Sequence, residues 1–143
     1  MIRMILPQDA SEVIKMMEDF YTSDAVSTNG SPEIYAANVE NSLGKCPYAK
    51  CYIFEEQGQI QGYSLLATGY CTEFGKPCIW IEDLYLKPQF RGTGIATHFF
   101  SFLQETFPGY VLRLEAEPDN EKAIALYKRC GFDTLPYLQL IIK

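Results

Sequence analysis

IWIEDLYLKPQFRGTGIATHFF, residues 79–100, is the stretch from which the rest of the chain can be read. Ile79, Trp80, Ile81, Leu84, Tyr85 and Leu86 form an apolar, β-prone run that breaks at Lys87-Pro88. Gln89-Phe90-Arg91-Gly92-Thr93-Gly94 follows, and apolar residues then recur at helical spacing. The order is strand, tight loop, helix. Glycines at 92 and 94 let the backbone turn sharply and bring successive N–H groups close to a ligand. A helix that begins at once leaves its first amides unpaired, so the loop can hold an anion such as a phosphate or pyrophosphate. Arg91 can add charge-assisted hydrogen bonds to it. A G-x-G taken alone reads more often as a plain strand-to-helix turn, so the flanking residues decide.

Two phosphate loops are excluded first. No G-x-x-x-x-G-K-[ST] occurs, and Thr97 stands where the dinucleotide fingerprint places its third glycine. What remains resembles motif A of the GNAT family of N-acetyltransferases, Q/R-x-x-G-x-G/A, met here by Gln89, Gly92 and Gly94. The family's later motif, N-x-x-A-x-x-L-Y-x-x-x-G-F, is met by Asn120, Ala123, Leu126, Tyr127, Gly131 and Phe132.

Composition sets the outer bounds. A chain of 143 residues is one domain with a single substantial core, so 1–143 reads as one unit. With 48% hydrophobic and 21% charged residues it reads as an ordinary globular protein. A net charge of −6, without a Lys/Arg cluster, argues against nucleic acid and fits a cationic partner, although moderate acidity also simply favours solubility. Five cysteines without C-x-x-C spacing indicate neither a disulfide framework nor a zinc site, and reduced thiols fit a cytoplasmic protein. The start MIRMIL is too short for a signal-peptide core, and no run approaches membrane-spanning length.

In chain order, Ile2 to Leu6 reads as a short strand. Asp9 with Glu12 has capping-box spacing before a helix over 10–21, whose face carries Val13, Met16, Met17 and Phe20. A polar loop over 22–30 leads to Ser31-Pro32, an N-cap and first-turn proline, with Tyr35, Ala36, Val39 and Leu43 as the apolar stripe and Gly44 as the stop. Strands over 51–54 and 60–68 are joined by a hairpin through Gly58, and a turn over 73–77 enters the central strand, giving an antiparallel meander. Ile95, Ala96, Phe99, Phe100, Leu103 and Phe107 share a helix face, with His98 on a more polar side. A strand over 110–117 lies parallel to the central one because a helix crosses over between them. A last helix ends at Gly131, and Tyr137 to Ile142 reads as a final strand. The class is α/β, in the order β-α-α-β-β-β-α-β-α-β.

The resemblance adds that this order folds as a mixed, mostly antiparallel sheet with splayed parallel central strands, flanked by about four helices. Family members usually finish with two strands where one is read here. An incomplete edge can be completed by a second copy, which makes a homodimer through the C-terminal strand the expectation.

The resemblance also implies an acetyl-CoA-dependent transfer to an amine by direct attack in a ternary complex, without a metal. On the donor side it implies Leu84, Tyr85, Leu86, Gln89, Phe90, Arg91, Gly92, Thr93, Gly94, Ile95 and Ala96, with Asn120, Ala123 and Tyr127 on the last helix. Main-chain groups at Leu84 and Leu86 would pair with the pantetheine arm, and Tyr127 would protonate the leaving sulfur. In general a helix tyrosine is more often a core residue, and Asn120 is equally a plain N-cap. On the acceptor side, Phe20, Tyr21, Asp24 and Tyr35 fall in the region that walls the pocket, where helix core and solvated loop are equally good readings.

An alkylammonium, with a pKa of about 10, must lose a proton before it attacks, so a nearby carboxylate is useful. Glu82 and Asp83 are charged residues inside an apolar strand and need a reason to be there. Alternation aims them at opposite faces unless a bulge intervenes. Only one of the two is then expected to reach the acceptor, and Glu82 is the expected base, with Asp83 the other candidate. The stretch also resembles the L/I-E-D-L/F sequence of polyamine-type members of the family, which implies Asp83 as a substrate-charge contact; the plain alternative is an ion pair at a sheet surface. A cationic small-molecule amine is the leading acceptor. Acetylation of a protein lysine or N-terminus, transfer of another acyl group, and a non-catalytic acyl-CoA-binding module stay open.

Overall fold

The computed structural model describes residues 1–28 and 30–143; of the expected 22–30 loop, Asn29 lies outside the described residues. The elements are β1 (Ile2–Met4), α1 (Ala10–Tyr21), α2 (Pro32–Glu40), β2 (Ala49–Glu56), β3 (Gln59–Cys71), β4 (Lys76–Leu86), α3 (Ile95–Thr106), β5 (Val111–Leu114) and α4 (Glu121–Arg129). The five strands form one sheet in the order β1-β2-β3-β4-β5, antiparallel except for the parallel pair β4 and β5.

Alternation in the strands feeds two apolar layers. On one face Cys51, Ile53, Tyr63 and Tyr85 meet Val13, Met16 and Met17 of α1 and Tyr35 and Val39 of α2. On the other, Tyr52, Phe54, Leu66, Ile79 and Ile81 meet Ala96, Phe99, Phe100 and Leu103 of α3, with Leu126 and Tyr127 of α4 at the margin. The sheet is therefore covered on both sides.

The expected limits of α1 and the Ser31-Pro32 start of α2 agree with the structure, where Ser31 Oγ accepts the Ile34 amide. Four local expectations are corrected. Asp9 makes no capping bond to α1; its carboxylate takes the Leu6 amide and the Arg3 guanidinium instead, a stronger, charge-assisted partner. Ala36 and Leu43 are exposed and Ser42 is buried, because α2 ends in a wide turn over Asn41–Lys45 that shifts the helical phase. The hairpin between β2 and β3 turns on Gln57 and Gly58 alone, both with positive φ (51° and 76°), so the flanking strands are longer than the sequence suggests. And β5 stops at Leu114, because beyond that point it has parted from β4 and has no ladder to join.

The final strand over 137–142 does not form. A strand needs a partner for its amides and carbonyls, and Tyr137 is tied to Glu73 at the β3–β4 turn (2.8 Å) without a ladder to β5. Leu138, Leu140, Ile141 and Ile142 are 80–100% exposed. A groove of about 960 Å³ runs along the free edge of β5, lined by Trp80, Leu112, Leu114, Tyr127, Phe132 and Tyr137 among others.

Candidate active site

The site begins with one extra residue. Leu65 pairs with Asp83 but Leu66 pairs with Ile81, so Glu82 has no partner on β3 and forms a β-bulge. The bulge changes the phase of β4: Ile79 and Ile81 face the α3 layer, Asp83 and Tyr85 the α1/α2 side, and Leu84 and Leu86 the α3 layer again. Glu82 and Asp83 thus part company. Glu82 is exposed, while Asp83 is only 1% exposed.

Asp83 is fully engaged. Its carboxylate accepts the phenol of Tyr21 at 2.7 Å and that of Tyr63 at 2.8 Å, and its carbonyl accepts Ser64 Oγ at 2.7 Å. Burial raises its pKa and the two phenols offset part of that rise; burial beside Asp83 in turn pushes both phenols well above the ordinary tyrosine value. Glu82 is also raised, first by loss of hydration, then by the charges of Glu115 and Asp83. A carboxylate with a raised pKa is a better proton acceptor near neutrality.

Beyond Ile81 and Leu114 the parallel ladder ends and the two strands separate. From Asp83 to Leu86 one edge of β4 stays paired with β3, which leaves the main-chain groups on its other edge open to the cleft. At Leu86 the open carbonyl is taken by Arg91, whose Nε donates at 2.9 Å while its guanidinium lies 5.7 Å from the Tyr85 ring centre. Arg91 does not point into the glycine loop.

That loop carries the donor-side geometry. Gly92 and Gly94 sit at φ +74° and +86°, with no atom within 4 Å of where a Cβ would stand. Thr93 Oγ1 donates to the Phe90 carbonyl (2.6 Å), tightening the turn. The first amide bonded into α3 is that of His98, on the Gly94 carbonyl; among the described residues the amides of Gly92 to Thr97 have no acceptor. Ile95 and Ala96 open the helix and Ala96 is buried; Gln89 is exposed and Phe90 half-buried on the short turn before it. Six successive N–H groups without acceptors at a helix start are an arrangement that can hold an anion.

Tyr127 packs edge-on against Phe100 and Phe132, and burial raises its phenol, which makes no hydrogen bond among the described residues. The phenol therefore keeps its proton near neutral pH. Asn120 serves as N-cap of α4, its side-chain oxygen accepting the Ala123 amide at 3.3 Å. On the acceptor side, Phe20 and Tyr21 form an aromatic wall with Tyr85 and Tyr35, Tyr35 being buried. Asp24 is exposed and makes no hydrogen bond or ion pair among the described residues. The connection after α1 instead reaches the segment beyond β5 through Ser27, which donates to Glu117.

Sequence reading missed Tyr63, Ser64, Glu115 and Glu117. Tyr63 and Ser64 reach Asp83 from 20 and 19 positions away, a separation that carries no local signal. Glu115 and Glu117 read as the outward half of an alternating strand.

The chain belongs to the acetyltransferase (GNAT) family, whose model matches residues 13–132, and it is an N-acetyltransferase. It is 27% identical to a thialysine N-epsilon-acetyltransferase of Bos taurus over 94% of this chain and 85% of that one. Among solved structures, a possible acetyltransferase from Clostridium difficile 630 superposes with a TM-score of 0.85, at 16% identity over 100% of this chain and 96% of the other. The aminoglycoside acetyltransferase AAC(6')-Iy, solved with a bisubstrate analogue of CoA and acetylneamine, gives a TM-score of 0.81 at 15% identity over 100% and 97%.

Proposed function

We propose that this enzyme moves the acetyl group of acetyl-CoA to the primary amine of a small cationic molecule, by direct attack with both substrates bound. The observation that carries the reading is the parting of β4 and β5, which sets an open strand edge between free amides at one end and Glu82 at the other. Acetyl-CoA supplies the activated acyl group. The amides of Gly92 to Thr97 hold its pyrophosphate, and the open edge at Leu84 and Leu86 receives the pantetheine arm as a strand would be received. Arg91 then leaves the Leu86 carbonyl for the arm and becomes available to phosphate.

Glu82 takes a proton from the acceptor ammonium, freeing the nitrogen lone pair for the thioester carbon. As the new C–N bond forms and the C–S bond breaks, Tyr127 gives its phenolic proton to sulfur and regains one from the nitrogen. One proton per turnover leaves through Glu82, and the charges balance. Phe20, Tyr21 and Tyr35 wall the acceptor, while Asp83 holds that wall in place through Tyr21 and Tyr63.

The name of the Bos taurus relative, an amine acetyltransferase, and the net charge of −6 both support a cationic small acceptor. The test is loss of acetyl-CoA, followed by mass spectrometry, across polyamines, basic amino acids, aminoglycosides and short peptides. Turnover on one class of small amines is expected. Tight acetyl-CoA binding with no turnover on any of them would favour a binding module.

We also propose a homodimer in a reducing, cytoplasmic setting. The free edge of β5, its groove and the exposed run from Leu138 to Ile142 are the supporting features, together with five unpaired thiols. Light scattering should give twice the chain mass at micromolar concentration; a monomer mass would remove the dimer.

A further inference from the structure

The parallel register of β4 and β5 runs Cys78 to Val111, Ile79 to Leu112, Trp80 to Arg113 and Ile81 to Leu114, and then stops. The next residue after each member of the last pair is a glutamate, Glu82 on β4 and Glu115 just beyond the end of β5, and the charge of Glu115 is felt at Glu82. Both are exposed, and neither joins an ion pair among the described residues. Like charges set side by side on neighbouring strands are destabilising, so the arrangement asks for a cation between them. The bulge at Glu82 and the Ser27–Glu117 bond, which carries the α1–α2 connection across to the residues after β5, put this pair on the acceptor side of the cleft.

We propose that Glu115 is a specificity-determining residue of the acceptor site: together with Glu82 it receives the ammonium of a primary alkylamine and turns away amines with a carboxylate close to the nitrogen. The proposal rests on the acetyl-transfer reading above. Glu82 accepts the proton of the bound ammonium, while Glu115 stays ionised and leaves one negative charge where there were two. Proton transfer to Glu82 is favoured by the like charge beside it. An α-amine next to a carboxylate would bring a third negative charge to the same place, whereas a terminal amine on an alkyl chain would not.

The groups facing Glu82 are Asp83 on its own strand, Tyr21 from α1 and Glu115 from the segment just after β5. Glu115→Gln keeps shape and removes one charge from an exposed position. With 1,4-diaminobutane as acceptor, KM for the amine should rise about tenfold while KM for acetyl-CoA is unchanged. The acid limb of kcat/KM should move to lower pH, and Glu115→Asp should recover most of both effects. Glycine should gain relative to 1,4-diaminobutane in the Gln variant. An amine KM and an acid limb both unmoved by Glu115→Gln would overturn the proposal. If the unsubstituted protein acetylates no amine at all, the acetyl-transfer reading fails separately. Calorimetry with 1,4-diaminobutane then decides the carboxylate pair: binding weakened about tenfold in Glu115→Gln supports it, and equal binding overturns it.

Discussion

Tyr21, the last residue of α1, donates its phenol to the buried carboxylate of Asp83 at 2.7 Å, joining α1 to β4 just before its open edge. Tyr63 completes the pair of donors at 2.8 Å. Removing the acceptor from two phenols costs more than removing one donor. Asp83→Ala should therefore destabilise the fold by about 3 kcal/mol and Tyr63→Phe by about 1 kcal/mol in urea unfolding. Equal stability of Asp83→Ala and the parent would free Asp83 from a structural role and favour its reading as a substrate-charge contact.

Asp9 and Asp83 pull the pH dependence of stability in opposite directions. Arg3 and the Leu6 amide hold Asp9 below its ordinary value, so its contribution is present above the usual carboxylate range and is lost as pH falls through the depressed value. Burial raises Asp83, so stability declines as pH rises from the ordinary value through the raised one. Asp9→Asn should cost about 1 to 2 kcal/mol at pH 7 and remove part of the acid-side loss. Thermal melts of both proteins from pH 3 to about pH 7 check this, and parallel curves would contradict it.

Tyr127 packs against Phe100 and Phe132 through its ring, which phenylalanine keeps. Tyr127→Phe should lower kcat by about 10²-fold and leave acetyl-CoA affinity within about twofold. Undiminished turnover at saturating substrates would take Tyr127 out of the reaction.

Glu82 titrates above the ordinary glutamate value because it loses hydration and faces Glu115 and Asp83. In the proposed reaction the ionised form is the base, so kcat/KM should fall as pH drops through the raised value. Glu82→Gln should abolish that limb and tie the rate to the free fraction of the amine itself, which moves the profile toward pH values near 10. A profile that does not move would assign the proton to water or to another carboxylate.

Much of this arrangement was legible in the residues. Val13, Met16 and Met17 repeat at helical spacing and mark the buried face of α1, while Gly92 and Gly94 before an apolar helix mark the tight strand-to-helix turn. The parallel pairing of β4 and β5 followed from the crossover helix between them. What escaped depends on contacts that alternation does not encode. IWIEDLYL reads as one unbroken strand, and nothing in it announces that Glu82 is left out of the ladder. Asp9 looked like a helix cap because its competitor, Arg3, lies on the strand before the turn and meets it only when β1 folds back. The run from Tyr137 to Ile142 has the composition of a strand, but composition does not supply the neighbour that a strand requires.

The odd residue at position 82 also works as a detent. A shift of one place turns every side chain of a strand to the opposite face, so register is strongly specified where the faces are buried, and the bulge adds to that specification. Here β4 is two half-strands of opposite phase, so moving it one notch along β3 would push Ile79 and Ile81 toward the wrong layer and drag Asp83 away from Tyr63 together. No single shift suits both halves. The height at which Glu82 meets the end of β5 is therefore fixed by a mismatch, and the chemistry at the mouth of the cleft is indexed to a strand that can seat in one position only.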